Sequence, residues 1–119
     1  MEPLAERHCV PCRGGVPPLP PGEVSRMLSE LEGWSDVDAR RIEKEFAFRD
    51  FATALEFVNA IGAVAEEEGH HPDIHLGWGR VGVEIWTHKI NGLTESDFIL
   101  AAKIDRLAEG ARGVERRRT

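Results

Sequence analysis

The 119-residue sequence has no tyrosine, only two cysteines, and no apolar run near the ~18 residues that a membrane span needs. Each absence closes a class of chemistry. Without a phenol, proton transfer near neutral pH falls to the five histidines and the carboxylates. Cys9 and Cys12 can build neither a disulfide framework nor a four-cysteine metal cluster within one chain; their C-x-x-C spacing is at most half a zinc site, to be completed by His8 or by another subunit. Basic residues are in the minority, 15 against 21 acidic ones, and the net charge of −6 disfavours nucleic acid as a partner. Residues 1–15 lack the apolar stretch of a signal peptide, so a soluble, cytoplasmic protein is expected.

What is present suits one globular domain. Hydrophobic residues make up 41% and glycine adds 12 positions, enough for a packed core at this length. Six of the seven prolines and the Gly14-Gly15 pair crowd residues 1–21, which predicts an irregular arm; residues 22–110 form the domain and 111–119 an arginine-rich tail. Within the domain, Val24, Met27, Leu28 and Leu31 fall at helical spacing and predict a short helix ending at Gly33. Arg41 to Phe48 alternates, with Ile42, Phe46 and Phe48 on one face and Glu43 and Glu45 on the other, as a strand with one wet face does. Asp50 caps a central helix, Phe51 to Glu68, with Phe51, Leu55, Val58, Ile61 and Ala65 as its buried stripe and Gly69 as its stop. A hairpin follows, then a third helix opened by Thr94-Glu95-Ser96-Asp97, a capping-box sequence, and closed by Gly110. This order predicts an α+β fold, an antiparallel sheet with the helices on one face.

Four of the five histidines, His70, His71, His75 and His88, lie in or beside the hairpin. Taking Gly79-Arg80 as its two-residue turn sets Leu76 opposite Val83 and Ile74 opposite Ile85 on an apolar face. On the other face His75 meets Glu84, Asp73 meets Trp86, and His71 meets His88. Two imidazoles brought together can supply one acid and one base at neutral pH. Asp97 is able to order a neighbouring histidine, to bind a polar N–H of a substrate, or simply to cap its helix. His75 reads as a solvated partner of Glu84.

Glu66-Glu67-Glu68-Gly69-His70-His71-Pro72, followed by Thr87-His88 and Gly92-Leu93-Thr94-Glu95-Ser96-Asp97, resembles the pterin-4a-carbinolamine dehydratase family, also called 4a-hydroxytetrahydrobiopterin dehydratase. Gly33-Trp34, the run Glu45 to Phe51 and the Cys9-Val10-Pro11-Cys12 arm resemble further family segments, so the likeness covers nearly the whole chain. The resemblance implies a four-stranded antiparallel sheet backed by three helices. It implies elimination of water from a 4a-hydroxytetrahydropterin to give the quinonoid dihydropterin, as in tetrahydrobiopterin recycling, with no cofactor. The family's catalytic histidines fall on His70, His71 and His88, and its substrate-binding positions on Asp97, Glu66, Thr87 and Trp34. Asp73-Ile74, where the family often has Glu-Trp, and Trp78 depart from the pattern at the pocket wall and bear on substrate preference.

Other readings compete. His70, His71, His88 and Asp97 could be written as a metal set, but adjacent histidines diverge where i, i+4 pairs converge, so no metal is expected. The tail from Arg112 to Arg118 reads as a solvated end with at most weak anion binding. Two sheet edges invite pairing with another copy, and a homodimer or homotetramer is expected, as in the family. The resemblance leaves open whether an aromatic amino acid hydroxylase supplies the substrate. The alternative from a different class is a non-catalytic dimerisation or assembly partner of another protein; retention of the histidines favours the enzyme.

Overall fold

Alternation and caps written into the sequence account for most of the observed elements. The structure, a computed structural model, describes residues 3–9 and 17–115. A 3-10 turn at Leu4–Glu6 precedes α1 (Pro21–Leu28), β1 (Ser35–Val37), β2 (Arg41–Phe48), α2 (Phe51–Glu68), β3 (Asp73–Gly77) and β4 (Arg80–Ile85). A second 3-10 turn at His88–Ile90, then α3 (Glu95–Glu109) and β5 (Val114–Glu115), follow among the described residues. The antiparallel sheet runs β1-β2-β4-β3, and β5 pairs with the far end of β2 on the edge that β1 also uses. The fold is therefore α+β, as expected, with a fifth short strand inside the segment read as a tail. Val114 and Glu115 are too few to show a periodicity.

The side of the sheet carrying Ile42, Phe46, Phe48, Val81, Val83 and Ile85 is buried. Phe57 of α2 fills its centre, with ring centroids 5.0 Å from Phe46 and 5.1 Å from Phe48, and Trp34 extends the cluster edge-on to Phe46 at 6.3 Å. Aromatic contacts of this kind add roughly 0.5–1.5 kcal/mol each beyond the area they bury. They also fix the rotation of α2 about its axis. The stripe that reaches the core is Thr53, Ala54, Phe57, Ile61 and Ala65, whereas Phe51 and Leu55, expected inside, are 45% and 40% exposed and Val58 is half-buried. The helix begins and ends as expected: Asp50 accepts from the Thr53 N–H at 2.8 Å, and Gly69 takes the left-handed conformation at φ 66°.

Two other boundaries move. Pro21 sits in the first turn of α1, where its missing N–H is harmless, and the helix ends at Leu28 rather than Gly33. Single i→i+3 bonds at Glu30 and Leu31 then unwind it. The hairpin loop is Trp78-Gly79, so Gly77 faces Arg80, Leu76 faces Val81 and Ile74 faces Val83. A tertiary bond makes the choice: the Phe48 N–H donates to the Gly79 carbonyl at 2.8 Å, tying the loop to the end of β2. This two-residue shift leaves every side chain on its expected face.

β5 is reached through Gly113, whose carbonyl accepts from the Arg49 N–H at 2.8 Å. Its φ is +75°, and a Cβ there would stand 2.3 Å from the hydroxyl of buried Thr53. Gly113→Ala should therefore destabilise the fold by about 1–3 kcal/mol in urea unfolding. Gly110, with open space around it and φ −98°, should accept alanine within about 0.5 kcal/mol.

Candidate active site

Two chain reversals build the site. At the end of α2 the Gly69 and His70 N–H groups donate to the Glu66 and Ala65 carbonyls, at 3.3 and 3.2 Å, closing the last turn and releasing His70 and His71 towards β3. Pro72 keeps His71 out of the helix. After β4, the Thr87 N–H donates to the Gly92 carbonyl at 2.9 Å, so residues 87–92 form a closed loop with Asn91 left-handed at φ 48°. That loop delivers the chain to Thr94, the N-cap of α3.

Asp97 joins the two. Its side chain has no exposure to solvent. One oxygen, Oδ2, accepts from the Thr94 N–H at 2.8 Å and the Thr87 hydroxyl at 2.9 Å; the other, Oδ1, accepts from His70 Nε2 at 2.5 Å. Three donors and the N-terminal end of a helix surround this desolvated carboxylate, which is how a buried charge is tolerated. Because a carboxylate only accepts, the proton of a neutral His70 resides on Nε2, and Nδ1 is the ring's basic nitrogen. The His70 side chain is 13% exposed, sheltered but reachable.

His71 Nε2 hydrogen-bonds Glu66 Oε2 one turn back along α2, and both side chains are largely exposed. The pair orients the ring and adds little stability. His88, also exposed, lies beside Trp86 with ring centroids 4.3 Å apart at 43° and is joined to Asp97 through its neighbour Thr87. His71 does not face His88 across the hairpin. β3 starts at Asp73, β4 ends at Ile85, and Asp73 faces Glu84 in the observed register. His75 lies opposite Gly82 and reaches Glu84 diagonally at 3.6 Å.

The structure thus gathers His70, Asp97 and Thr87 into one hydrogen-bonded unit, with the His71–Glu66 pair and His88 attached to its two arms. Trp34 is not among them: it is buried in the core and its indole N–H donates to both Asp105 oxygens, at 3.1 and 3.0 Å. Two shallow hollows, of about 360 Å³ on the open sheet face by His75 and Arg80 and about 370 Å³ between α2 and α3 by Phe57 and Leu107, are lined by none of His70, His71 and His88. The cluster of histidines and carboxylates, not concavity, marks the candidate site. One carboxylate escaped the reading of the sequence. Glu68 continues the buried stripe of Phe57, Ile61 and Ala65 by one more helical step, and that spacing was its available signal.

The family model for pterin 4 alpha carbinolamine dehydratase matches residues 17–107. A protein of Rubrobacter xylanophilus, provisionally named as a pterin-4-alpha-carbinolamine dehydratase, is 56% identical over 107 residues, covering 90% of this chain and all of the relative. A similarly named protein of Rickettsia canadensis is 52% identical over 106 residues, covering 88% and 97%. Among solved structures, a transcriptional coactivator/pterin dehydratase from Brucella melitensis superposes with a TM-score of 0.72 at 36% identity, over 76% of this chain and 97% of the other. A pterin dehydratase-like protein identified as a RuBisCO assembly factor in the alpha-carboxysome gives 0.55 at 28% identity, over 64% and 89%. The α+β fold is that of the pterin dehydratases. By sequence over most of its length, the chain belongs to the pterin-4-alpha-carbinolamine dehydratase family.

Two stability measurements test this architecture. Asp97→Ala takes the acceptor from the Thr94 N–H and from His70 Nε2–H and leaves the Thr87 hydroxyl only Thr94 Oγ1, so a loss of about 2–4 kcal/mol is expected in urea unfolding; Glu66→Ala, at an exposed pair, should lose under about 0.5 kcal/mol. Asp105 adds a pH dependence. Burial pushes its carboxyl above the ordinary value of 3.8, against the opposing pull of Lys44 and Trp34. The folded state thus holds this proton more tightly than the unfolded chain. The stabilisation from the proton is complete below the unfolded value and is lost as pH rises through the folded one. The stability of the wild type relative to Asp105→Asn should accordingly fall as pH rises through and above the ordinary value of 3.8; a rise would contradict the assignment.

Proposed function

We propose that the chain eliminates water from a 4a-hydroxytetrahydropterin by histidine acid/base catalysis. The observation that carries this reading is the 2.5 Å bond from His70 Nε2 to a carboxylate buried among three donors. In the reaction the C4a–O bond breaks and the oxygen leaves as water after receiving a proton. The N5–H bond gives up its proton as the C4a=N5 double bond forms, so one proton is donated and one is taken, and exchange of both groups with solvent returns the protein to its starting state. His70, with Nδ1 left basic by Asp97, suits removal of the N5 proton; His88, exposed beside Trp86, suits delivery to the leaving oxygen. His71, oriented by Glu66, holds and polarises the ring. Asp97 and Thr87 direct their polar atoms to His70 and to each other, so their part is to hold the base rather than to touch the pterin. Family membership supports the substrate class.

A second reading, an assembly role without turnover, draws on the likeness to the RuBisCO assembly factor and on the exposed Phe51 and Leu55 of α2. One assay separates the two: absorbance decay of 4a-hydroxytetrahydropterin with and without the protein. Acceleration is expected, and its absence in the folded wild type would leave only the second reading. His88→Ala should lower turnover about 10²- to 10⁴-fold, the usual worth of a positioned acid or base. His71→Ala should also raise KM, and His70→Ala with His88→Ala should cost less than the product of the single effects. His75→Ala should leave the kinetics unchanged; if it proved as damaging as His88→Ala, the site would lie elsewhere on the hairpin.

A further inference from the structure

Glu68 ends α2 with a side chain only 5% exposed, although it takes no part in the reaction proposed above. A carboxylate so placed needs donors, and the N-terminal segment supplies them. The Cys9 N–H donates to Oε1 at 2.7 Å, His8 Nδ1 lies 3.0 Å from Oε2, and Lys103 Nζ is 3.8 Å away. Lys103 donates to the Ala5 carbonyl at 3.0 Å as well, so one ammonium grips both Glu68 and the arm.

The other attachments land beside Asp97. Arg7 pairs with Glu95 at 2.5 Å, and the Cys9 thiol donates to the Ser96 carbonyl at 3.4 Å. Burial first, then the charge of Glu68, pushes that thiol up to about 12, so Cys9 serves here as a neutral donor. Leu4 anchors the segment in the core. Residues 3–9 are therefore bonded to α2 two residues before His70 and to α3 one and two residues before Asp97. The geometry points to a strap: the N-terminal arm, seated on Glu68, holds the end of α2 and the start of α3 at the separation that the His70–Asp97 bond requires, which makes Glu68 a positioning residue. The inference deepens the proposed function and rests on it for its kinetic consequence.

The test uses the full chain and two readouts. In Glu68→Ala, kcat should fall roughly 10- to 100-fold, the scale of a displacement of about 1 Å at a reacting group, while KM stays within about twofold. The downfield proton NMR resonance of His70 Nε2–H should be lost. Glu68→Gln, whose amide oxygen still accepts from Cys9, should recover most of both. Arg106→Ala, which removes the arm's 3.7 Å contact between Glu6 and the far end of α3, should change neither. In a His70→Ala background, Glu68→Ala should have no further effect on kcat. An unchanged resonance in Glu68→Ala would overturn the strap, as would a lost resonance with unchanged kcat or an equal loss of kcat in the His70→Ala background. If Glu68→Ala does not fold, Arg7→Ala with Lys103→Met loosens the arm in its place, and the same outcomes decide. If the wild type shows no turnover, the proposed function fails, yet the resonance still decides whether the arm holds the pair.

Discussion

The carboxylate of Asp97 is fully withdrawn from water, and much else follows from how that charge is tolerated. Donors must come from wherever the chain can bring them, and they come from three places: the end of α2 through His70, the turn after β4 through Thr87, and the cap of α3 through Thr94. Each carries a constraint of its own. The left-handed Gly69 aims His70, the closed 87–92 loop aims Thr87, and the capping geometry fixes Asp97 itself. A single group thus completes a helix cap, closes a loop and selects the tautomer of a histidine. Removing it would disturb structure and proton chemistry together, so the neighbouring His71 and His88 are the cleaner probes of chemistry.

The core supplies the rigidity on which that arrangement stands. Phe57 lies against Phe46 and Phe48, and Lys44 sits with its ammonium 4.8 Å from the Phe46 ring while donating to Asp105 at 2.8 Å and to the Glu32 carbonyl at 2.9 Å. Sheet, α3 and the turn after α1 are pinned at one point. The rotation that places Phe57 inward also turns Phe51 and Leu55 outward, so an apolar outer face on α2 is the geometric price of centring one aromatic ring over the sheet.

Elements governed by local chemistry were legible in the sequence. Asp50 and Gly69 bound α2 at the residues expected, and Thr94 and Gly110 do the same for α3, because a cap depends on its immediate neighbours. Features settled by distant contacts were not. The hairpin loop is chosen by the Phe48 N–H, far back in the chain, so the expected register was two residues out and His71 never meets His88. The concentration of histidines led to an expectation of proton chemistry, and the family resemblance assigned that chemistry to His70, His71 and His88. That His70 pairs with Asp97 and His71 with Glu66 required the folded chain. The burial of Glu68 could have been read from its helical spacing, but its hydrogen-bond partners, His8 and Cys9, lie in an arm with no periodicity.

Sequence separation sets an order on how these pieces come together. His70 and Asp97 are 27 positions apart, within one helix end, one hairpin and one helix start, whereas the arm reaches across 88 positions from Arg7 to Glu95 and 98 from Ala5 to Lys103. Closing a long loop costs entropy before its contacts form, so the module from α2 to α3 is the natural nucleus and the arm docks on it afterwards. On the ribosome the asymmetry is stronger. The arm is made before both helices that hold it, and its bonds to Glu95, Ser96 and Lys103 must wait until α3 has emerged, so it is among the last pieces to find its place.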